Sequence, residues 1–443
     1  MQIDFTKGSV AGAMLRFSLP LIAGNLLQQC YNITDTLIVS KLGADALAAV
    51  GTSYAVMVFL TSVILGLCMG SGILFSMLFG AKKLDELKTS VFLSFVLISI
   101  LTAFITLLSI LCLPQMLSFL DIPQKIRPMT QAYLFFIFLG LPATFFYNFF
   151  ASLLRAIGNS LMPLIFLGVC AVLNIFLDWL FVFPMQMGVS GAAIATIIAQ
   201  FVSAIGMTVY CIKKAPHLIP HRRHCRFDRA LFARIINFSL LTCVQQSVMN
   251  FGILLVQGVV NRFGVSVMAA FAAAVKIDSF AYMPVQDFGN AFSTFIAQNK
   301  GAGEGSRIKQ GIRTGFLISF LFCIVISTAV ILFAAPLMTI FIDPSETQII
   351  QTGITYLYVE GSFYFAIGFL FLFYGLYRGL GKPGISVVLT VVSLGLRVLL
   401  AYVLSPIPQI GVLGIWWAIP IGWVIADLIG VLFLKRYLKL FSQ

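Results

Sequence analysis

The chain has 443 residues, of which 60% are hydrophobic and only 10% charged, with a mean hydropathy of +1.03. Soluble domains average about 45–50% apolar residues, so this composition excludes a soluble enzyme, a disulfide-built secreted module and a disordered chain, and it leaves a polytopic membrane protein. A net charge of +13 suggests nucleic acid until the distribution of that charge is read.

A spanning helix needs about 20 mostly apolar residues, and twelve such runs follow one another along the chain. The first six cover about 13–39, 46–76, 90–113, 129–150, 161–183 and 188–212. A basic stretch at 213–231 separates them from six more, at about 232–260, 267–298, 311–340, 353–377, 384–404 and 411–434. Pro20, Pro142, Pro284 and Pro420 fall inside runs, where kinks or tilts are expected. The first run is too long for a cleaved signal peptide and carries Asn25, Gln28, Asn32 and Asp35. The eight cysteines are scattered singly, without zinc or CxxC spacing, and read as packing residues.

Charge orients the runs. The side holding both termini carries 22 of the 28 Lys and Arg, among them Lys82, Lys83, Arg155, Lys300, Arg307, Arg378, Lys435, Arg436, Lys439 and the central group from Lys213 to Arg234. The opposite side has four: Lys41, Lys125, Arg127 and Arg262. This bias predicts cytoplasmic termini in a multi-pass protein of the inner (cytoplasmic) membrane. The basic residues then border anionic lipid headgroups, and no nucleic-acid partner is expected. Lys276 and Arg397 lie inside runs.

The two halves superpose in sequence. Phe17-Ser18-Leu19 recurs as Phe238-Ser239-Leu240, Gly43 as Gly264, Ala48-Ala49 as Ala269-Ala270 and Gly80-Ala81 as Gly301-Ala302, all at a shift of 221. Tyr133 recurs as Tyr356, Arg155-x-x-Gly158 as Arg378-x-x-Gly381 and Gly188-Val189-x-Gly191 as Gly411-Val412-x-Gly414, all at 223. Six runs per half is an even number, so both halves enter the membrane from the same side. The expected fold class is an all-α membrane protein with twelve transmembrane helices in two six-helix lobes related by a parallel internal repeat. The lobes are placed at 1–212 and 232–443, joined by a cytoplasmic linker at 213–231.

An ionisable side chain at the bilayer centre costs about 2.5–3.5 kcal/mol and marks a candidate site. Asn25, Gln28, Asn32 and Asp35 step by 3, 4 and 3 residues, a polar stripe on one helical face. Asn174 and Asp178 share a face in the fifth run, Thr196 and Gln200 in the sixth. Tyr31 is one turn from Asp35, and Tyr133 lies in the fourth run. Two carboxyls with an amide and a hydroxyl make an all-oxygen set for Na+. They also suit H+, because two close carboxyls do not both stay ionised cheaply. Simple helix-to-helix hydrogen bonding, at about 0.6 kcal/mol per pair, explains Asn174 or Thr196 alone better than it explains Asp35 and Asp178. The repeat maps Asp35 to Val256, Asn174 to Arg397, Asp178 to Ala401 and Thr196 to Ile419, which puts cation chemistry in the N-terminal half. Lys276, Asp278 and Asp287 of the eighth run, with Gln246 of the seventh, are candidate substrate or proton contacts. Glu360 and Asp427 read as structural.

These features together resemble the MATE (multidrug and toxic compound extrusion) family of efflux transporters over essentially the whole chain. The resemblance rests on the segment from Phe17-Ser18-Leu19-Pro20 to Asp35, the paired Gly-Ala and Arg-x-x-Gly motifs, Asn174-x-x-x-Asp178 and the twice-used Gly-Val-x-Gly. It implies export of amphipathic, often cationic compounds in exchange for H+ or Na+ by alternating access. Asp35, Asn174, Asp178 and Thr196 then match the family's cation site in the first lobe, with Tyr31 and Tyr133 in the surrounding polar network. One branch of the family carries a glutamate in the seventh helix and an aspartate in the tenth. Here the seventh-helix position is about Met249, beside Gln245 and Gln246, so coupling through the second lobe is not expected. The other readings are a lipid-linked precursor flippase of the same wider superfamily and, more remotely, an intramembrane enzyme. Gly379-Leu380-Gly381-Lys382-Pro383-Gly384 fits GxGxxG but follows a membrane helix rather than a strand. No cofactor beyond the coupling ion is expected. The partners foreseen are small-molecule drugs and the lipid bilayer, with the chain acting as a monomer. His217, His221 and His224 are read as linker surface.

Overall fold

A computed structural model describes residues 2–120 and 122–440, without the side chains of Ile253, Leu254, Leu438, Lys439 and Leu440; of the counted charges, the Lys439 side chain therefore lies outside the described residues. The described chain is helical throughout. The first half runs α1 (Val10–Ser40), α2 (Ala44–Gly80), α3 (Leu84–Leu111), short α4 (Leu113–Phe119), α5 (Arg127–Ala156), α6 (Leu161–Val182) and α7 (Gly188–Lys214). The second runs α8 (Arg229–Val260), α9 (Val265–Ala302), α10 (Gly305–Leu332), short α11 (Ala334–Thr339), α12 (Thr347–Gly361), α13 (Tyr364–Gly379), α14 (Pro383–Leu404) and α15 (Leu413–Leu440). Eleven helices are long and apolar enough to cross a membrane, and α12 with α13, bent by 52°, supplies the twelfth span. Expected and observed spans agree except where a run continues past a helix end. The third and ninth runs close early, and the short α4 and α11 take up the remainder. Pro20, Pro142, Pro284 and Pro420 all sit inside continuous helices. A break separates Gly361 from Tyr364, where Ser362 Oγ donates to the Tyr358 carbonyl.

The repeat extends to backbone conformation. Gly43 and Gly264 both precede a long helix, with φ 108° and ψ 173° in one and φ 90° and ψ 173° in the other; a side chain would be strained there. Gly158 and Gly381, Gly188 and Gly411, and Lys82 and Gly303 are further positive-φ pairs, each at the shift of 223 or 221 found in the sequence.

Contacts gather the chain into two compact units. One comprises the segment up to Asp4 with Leu19–Gln246, the other Phe5–Ser18 with the chain from Ser247 on. These boundaries differ from a division at the linker, and close packing explains both exchanges. In the first unit Gly66 and Gly70 of α2 let the start of α8 approach to backbone contact. A Cβ on Gly66 would lie 2.5 Å from Cys243 Cα, one on Gly70 would strike the Phe238 carbonyl, and Ser71 and Ser239 hydroxyls bond at 2.8 Å. The linker docks in the same unit. His224, expected at the surface, is buried, with Nε2 2.9 Å from Asp85 Oδ1. In the second unit Arg307 donates to the carbonyls of Phe5 at 2.9 Å, Gly8 at 3.1 Å and Lys7 at 3.2 Å, and the buried Phe5 packs edge-on against Phe17 and Phe295.

Gly70→Ala is expected to lower the melting temperature in detergent, because overpacking a filled contact costs about 1–3 kcal/mol. Gly51→Ala, on the same helix but with nothing within 4 Å of the added Cβ, should leave it unchanged.

Candidate functional site

The site assembles inside the first unit. Gly24 of α1 faces Leu164 and Leu167 of α6, and Gly168 of α6 faces Leu27, so α1 approaches α6 through small and aliphatic residues. Asn174 and Asp178, one turn apart on α6, are both buried, at 1% and 0% exposure. Asp35 of α1 lies within electrostatic reach of Asp178. Asn174 Nδ2 donates to Thr196 Oγ1 of α7 at 3.2 Å, and Thr196 Oγ1 donates in turn to the Ala192 carbonyl at 3.0 Å. Tyr31 of α1 and Tyr133 of α5 lie within electrostatic reach of both carboxyls.

This arrangement is incomplete as a hydrogen-bond network. Both Asp178 oxygens, Asp35 Oδ1 and Asn174 Oδ1 are buried without a partner. Such groups cost about 1–3 kcal/mol each when left unmade, more when charged. Four acceptor oxygens turned inward among apolar helices fit a proton or a hard monovalent cation. Among the described residues no three His, Cys, Asp or Glu side chains gather as a metal centre.

Six of the residues singled out in the sequence thus meet: Asp35, Asn174, Asp178, Thr196, Tyr31 and Tyr133. Gln200 turns toward α5 instead, where its Oε1 accepts from Thr144 Oγ1 at 3.5 Å. Asn32 is not seen to join the six: its described bond is within α1, where its backbone carbonyl accepts from Thr36 Oγ1 at 2.8 Å. A cavity of about 440 Å³ opens elsewhere in the unit, bordered by Gly43, Asp45, Met129 and Ser190, and contains none of the six.

The second unit corrects the expectation for the C-terminal half. Asp278 of α9 is buried and accepts from the Tyr356 hydroxyl of α12 at 3.3 Å. Glu360, read from sequence as structural because it nears a helix end, is the second-last residue of α12 and is fully buried, with both oxygens unpartnered. Arg397 of α14 and Tyr364 of α13 act on the same carboxyls. Lys276 and Gln246 do not join. Lys276 is exposed and lies 5.7 Å above the Phe341 ring, and Gln246 belongs to the first unit, where Nε2 meets Met69 Sδ at 3.4 Å. Asp287 is buried three residues before Asn290, which accepts from Arg378 at 3.0 Å. The missed cluster had a signal in the repeat, since Tyr356 and Arg397 are the counterparts of Tyr133 and Asn174.

A family model described as MatE matches residues 20–180 and again 242–403. The chain belongs to the MATE family. The two matches start 222 residues apart and end 223 apart, the same register as the internal repeat. The probable multidrug resistance protein YpnP of Bacillus subtilis is 30% identical over 88% of this chain and 87% of its own. The probable multidrug resistance protein YoeA of the same organism is 26% identical over 96% and 93%. Among solved structures, a MOP superfamily transporter from Pyrococcus furiosus superposes with a TM-score of 0.93 at 22% identity, over 99% of this chain and 98% of the other. The fold is therefore the two-lobe, twelve-helix arrangement of MATE transporters, and the chain is a multi-pass membrane protein.

Thr196→Val keeps the shape of the side chain but leaves the Asn174 amide without its acceptor. We expect a loss of about 1 kcal/mol, seen as a lower melting temperature, with Thr196→Ser restoring it.

Proposed function

We propose that the protein is a secondary active multidrug exporter. It expels amphipathic and cationic small molecules in antiport with H+ or Na+, by alternating access of its two lobes. The observation that carries this reading is the set of buried, unpartnered oxygens on Asp35, Asn174 and Asp178 in one lobe of a duplicated scaffold. The multidrug names of the relatives support the substrate class.

The proposed cycle follows from charge. When the carboxyls hold no proton or ion, two negative charges face each other in a medium of low dielectric, and that state is the costly one. Loading a proton or a monovalent cation removes the repulsion and draws α1, α6 and α7 together around Asn174 and Thr196. Substrate bound in the lobe is thereby favoured to leave on the outer side. The energetics suffice with one ion. A single charge crossing about 100 mV supplies about 2.3 kcal/mol, while a tenfold uphill gradient of a neutral compound requires about 1.4 kcal/mol. The proposed location is the inner membrane with cytoplasmic termini, supported by the distribution of Lys and Arg, and one chain suffices for the cycle.

In proteoliposomes carrying a cationic dye, Na+ and pH gradients imposed separately should identify the coupling ion by which one drives efflux. Asp35→Asn and Asp178→Asn should each reduce that driven efflux at least tenfold. Wild-type efflux in both variants would overturn the reading.

A further inference from the structure

The two lobes keep one scaffold but differ at its ionisable centre, position by position. In the first unit Val50, Met57, Tyr133, Ile137 and Ala193 pack in a single apolar cluster. At the repeat shifts of 221 and 223 their counterparts are Phe271, Asp278, Tyr356, Glu360 and Trp416. The counterpart cluster exists. Phe271 stacks on Trp416 at 5.5 Å between ring centroids, and Tyr356 stands edge-on to both, at 5.6 and 5.0 Å. Two carboxyls thus replace Met57 and Ile137, while Asp35 and Asp178 become Val256 and Ala401. The remaining exchange is Asn174 for Arg397.

Charge separates the two centres further. The first has two carboxyls and no fixed cation. In the second, Arg397 acts electrostatically on Asp278, Glu360, Tyr356 and Tyr282, and Tyr364 faces Asp278. These are the titratable groups that face the pair, since Lys276 points away. Asp278 Oδ2 accepts from the Tyr356 hydroxyl at 3.3 Å, whereas Arg397 Nε, Asp278 Oδ1 and both Glu360 oxygens have no hydrogen-bond partner, so Arg397 acts on the two acids through space at low dielectric and not through a direct bond. A guanidinium keeps its charge at any pH a protein meets. It balances one carboxylate, and a second mobile cation would meet its repulsion at low dielectric.

We propose that Arg397 is the tethered cation of the second lobe. It takes beside Asp278 and Glu360 the place that the exchanged ion takes beside Asp35 and Asp178. The second lobe then binds no monovalent metal ion. This inference rests on the reading of Asp35 and Asp178 as the ion site. It adds that ion exchange is confined to one lobe because the other carries its counter-ion covalently.

The test uses the full-length protein in detergent at pH 8, melted in increasing NaCl with N-methylglucamine chloride holding ionic strength constant. Asp35→Asn/Asp178→Asn removes the first-lobe site and should melt at a temperature independent of Na+. Adding Arg397→Asn should make the melting temperature rise with each tenfold increase in Na+, as mass action requires of a newly opened site. Adding Glu360→Gln should abolish that rise. The proposal fails if the Arg397→Asn variant shows no Na+ dependence. It also fails if the background with Arg397 intact shows a dependence that Glu360→Gln removes. Should Arg397→Asn not fold, a second comparison decides. Asp278→Asn/Glu360→Gln leaves the guanidinium alone, so the neutral triple variant with Arg397→Asn should melt higher, and an equal or lower value overturns the proposal. Failure of the underlying reading appears separately, as wild-type efflux by Asp35→Asn and Asp178→Asn.

Discussion

A carboxylate enclosed by apolar helices has lost its water and must find a compensating charge or a proton. That requirement organises this molecule. Lipid on the outside gives the helices no reason to tolerate acids, so each one that persists is turned inward and must be neutralised there. Asp35 and Asp178 lie in one electrostatic neighbourhood with an amide and a hydroxyl, with acceptor oxygens that the protein itself does not satisfy. Asp278 and Glu360 stand in a cluster that also contains a guanidinium. The same physical demand therefore meets two different sets of neighbours, an amide and a hydroxyl in one lobe and a guanidinium and tyrosines in the other.

The scaffold that permits this is a duplication. Pairs of positive-φ residues recur at equivalent turns, and the family model fits each half in turn. Within that common frame the acids come from different helices, α1 and α6 in one lobe and α9 and α12 in the other. A repeat preserves the path of the backbone and the places where helices approach. It leaves the side chains of the interior free to diverge, because each lobe packs its own centre. The bend between α12 and α13, absent from α5, lies directly beyond Glu360 and is one local consequence of that divergence.

Much of the fold was legible in the residue order. Runs of apolar residues, a polar stripe at helical spacing and a fixed repeat register predicted twelve spans, two lobes and the grouping of Asp35 with Asn174, Asp178 and Thr196. These signals are local or periodic: a helix must hide its polar face wherever it is placed, so spacing alone tells which residues share that face. Gln200 shows the limit, sharing a face with Thr196 yet turning to Thr144.

What the tertiary structure alone decided is which faces meet. Glu360, near a helix end in the sequence, is fully buried once the chain packs. Lys276 and Asp278, two residues apart, separated to opposite sides of α9, one over an aromatic ring and one into the core. The compact units exchanged the beginnings of α1 and α8, because Arg307 clasps the carbonyls of one and the glycines of α2 admit the other. Hydropathy and periodicity describe how each helix treats its surroundings as solvent. Rotation, close approach and the neutralisation of a buried charge depend on partners hundreds of residues away in sequence, and only the packed chain brings them together.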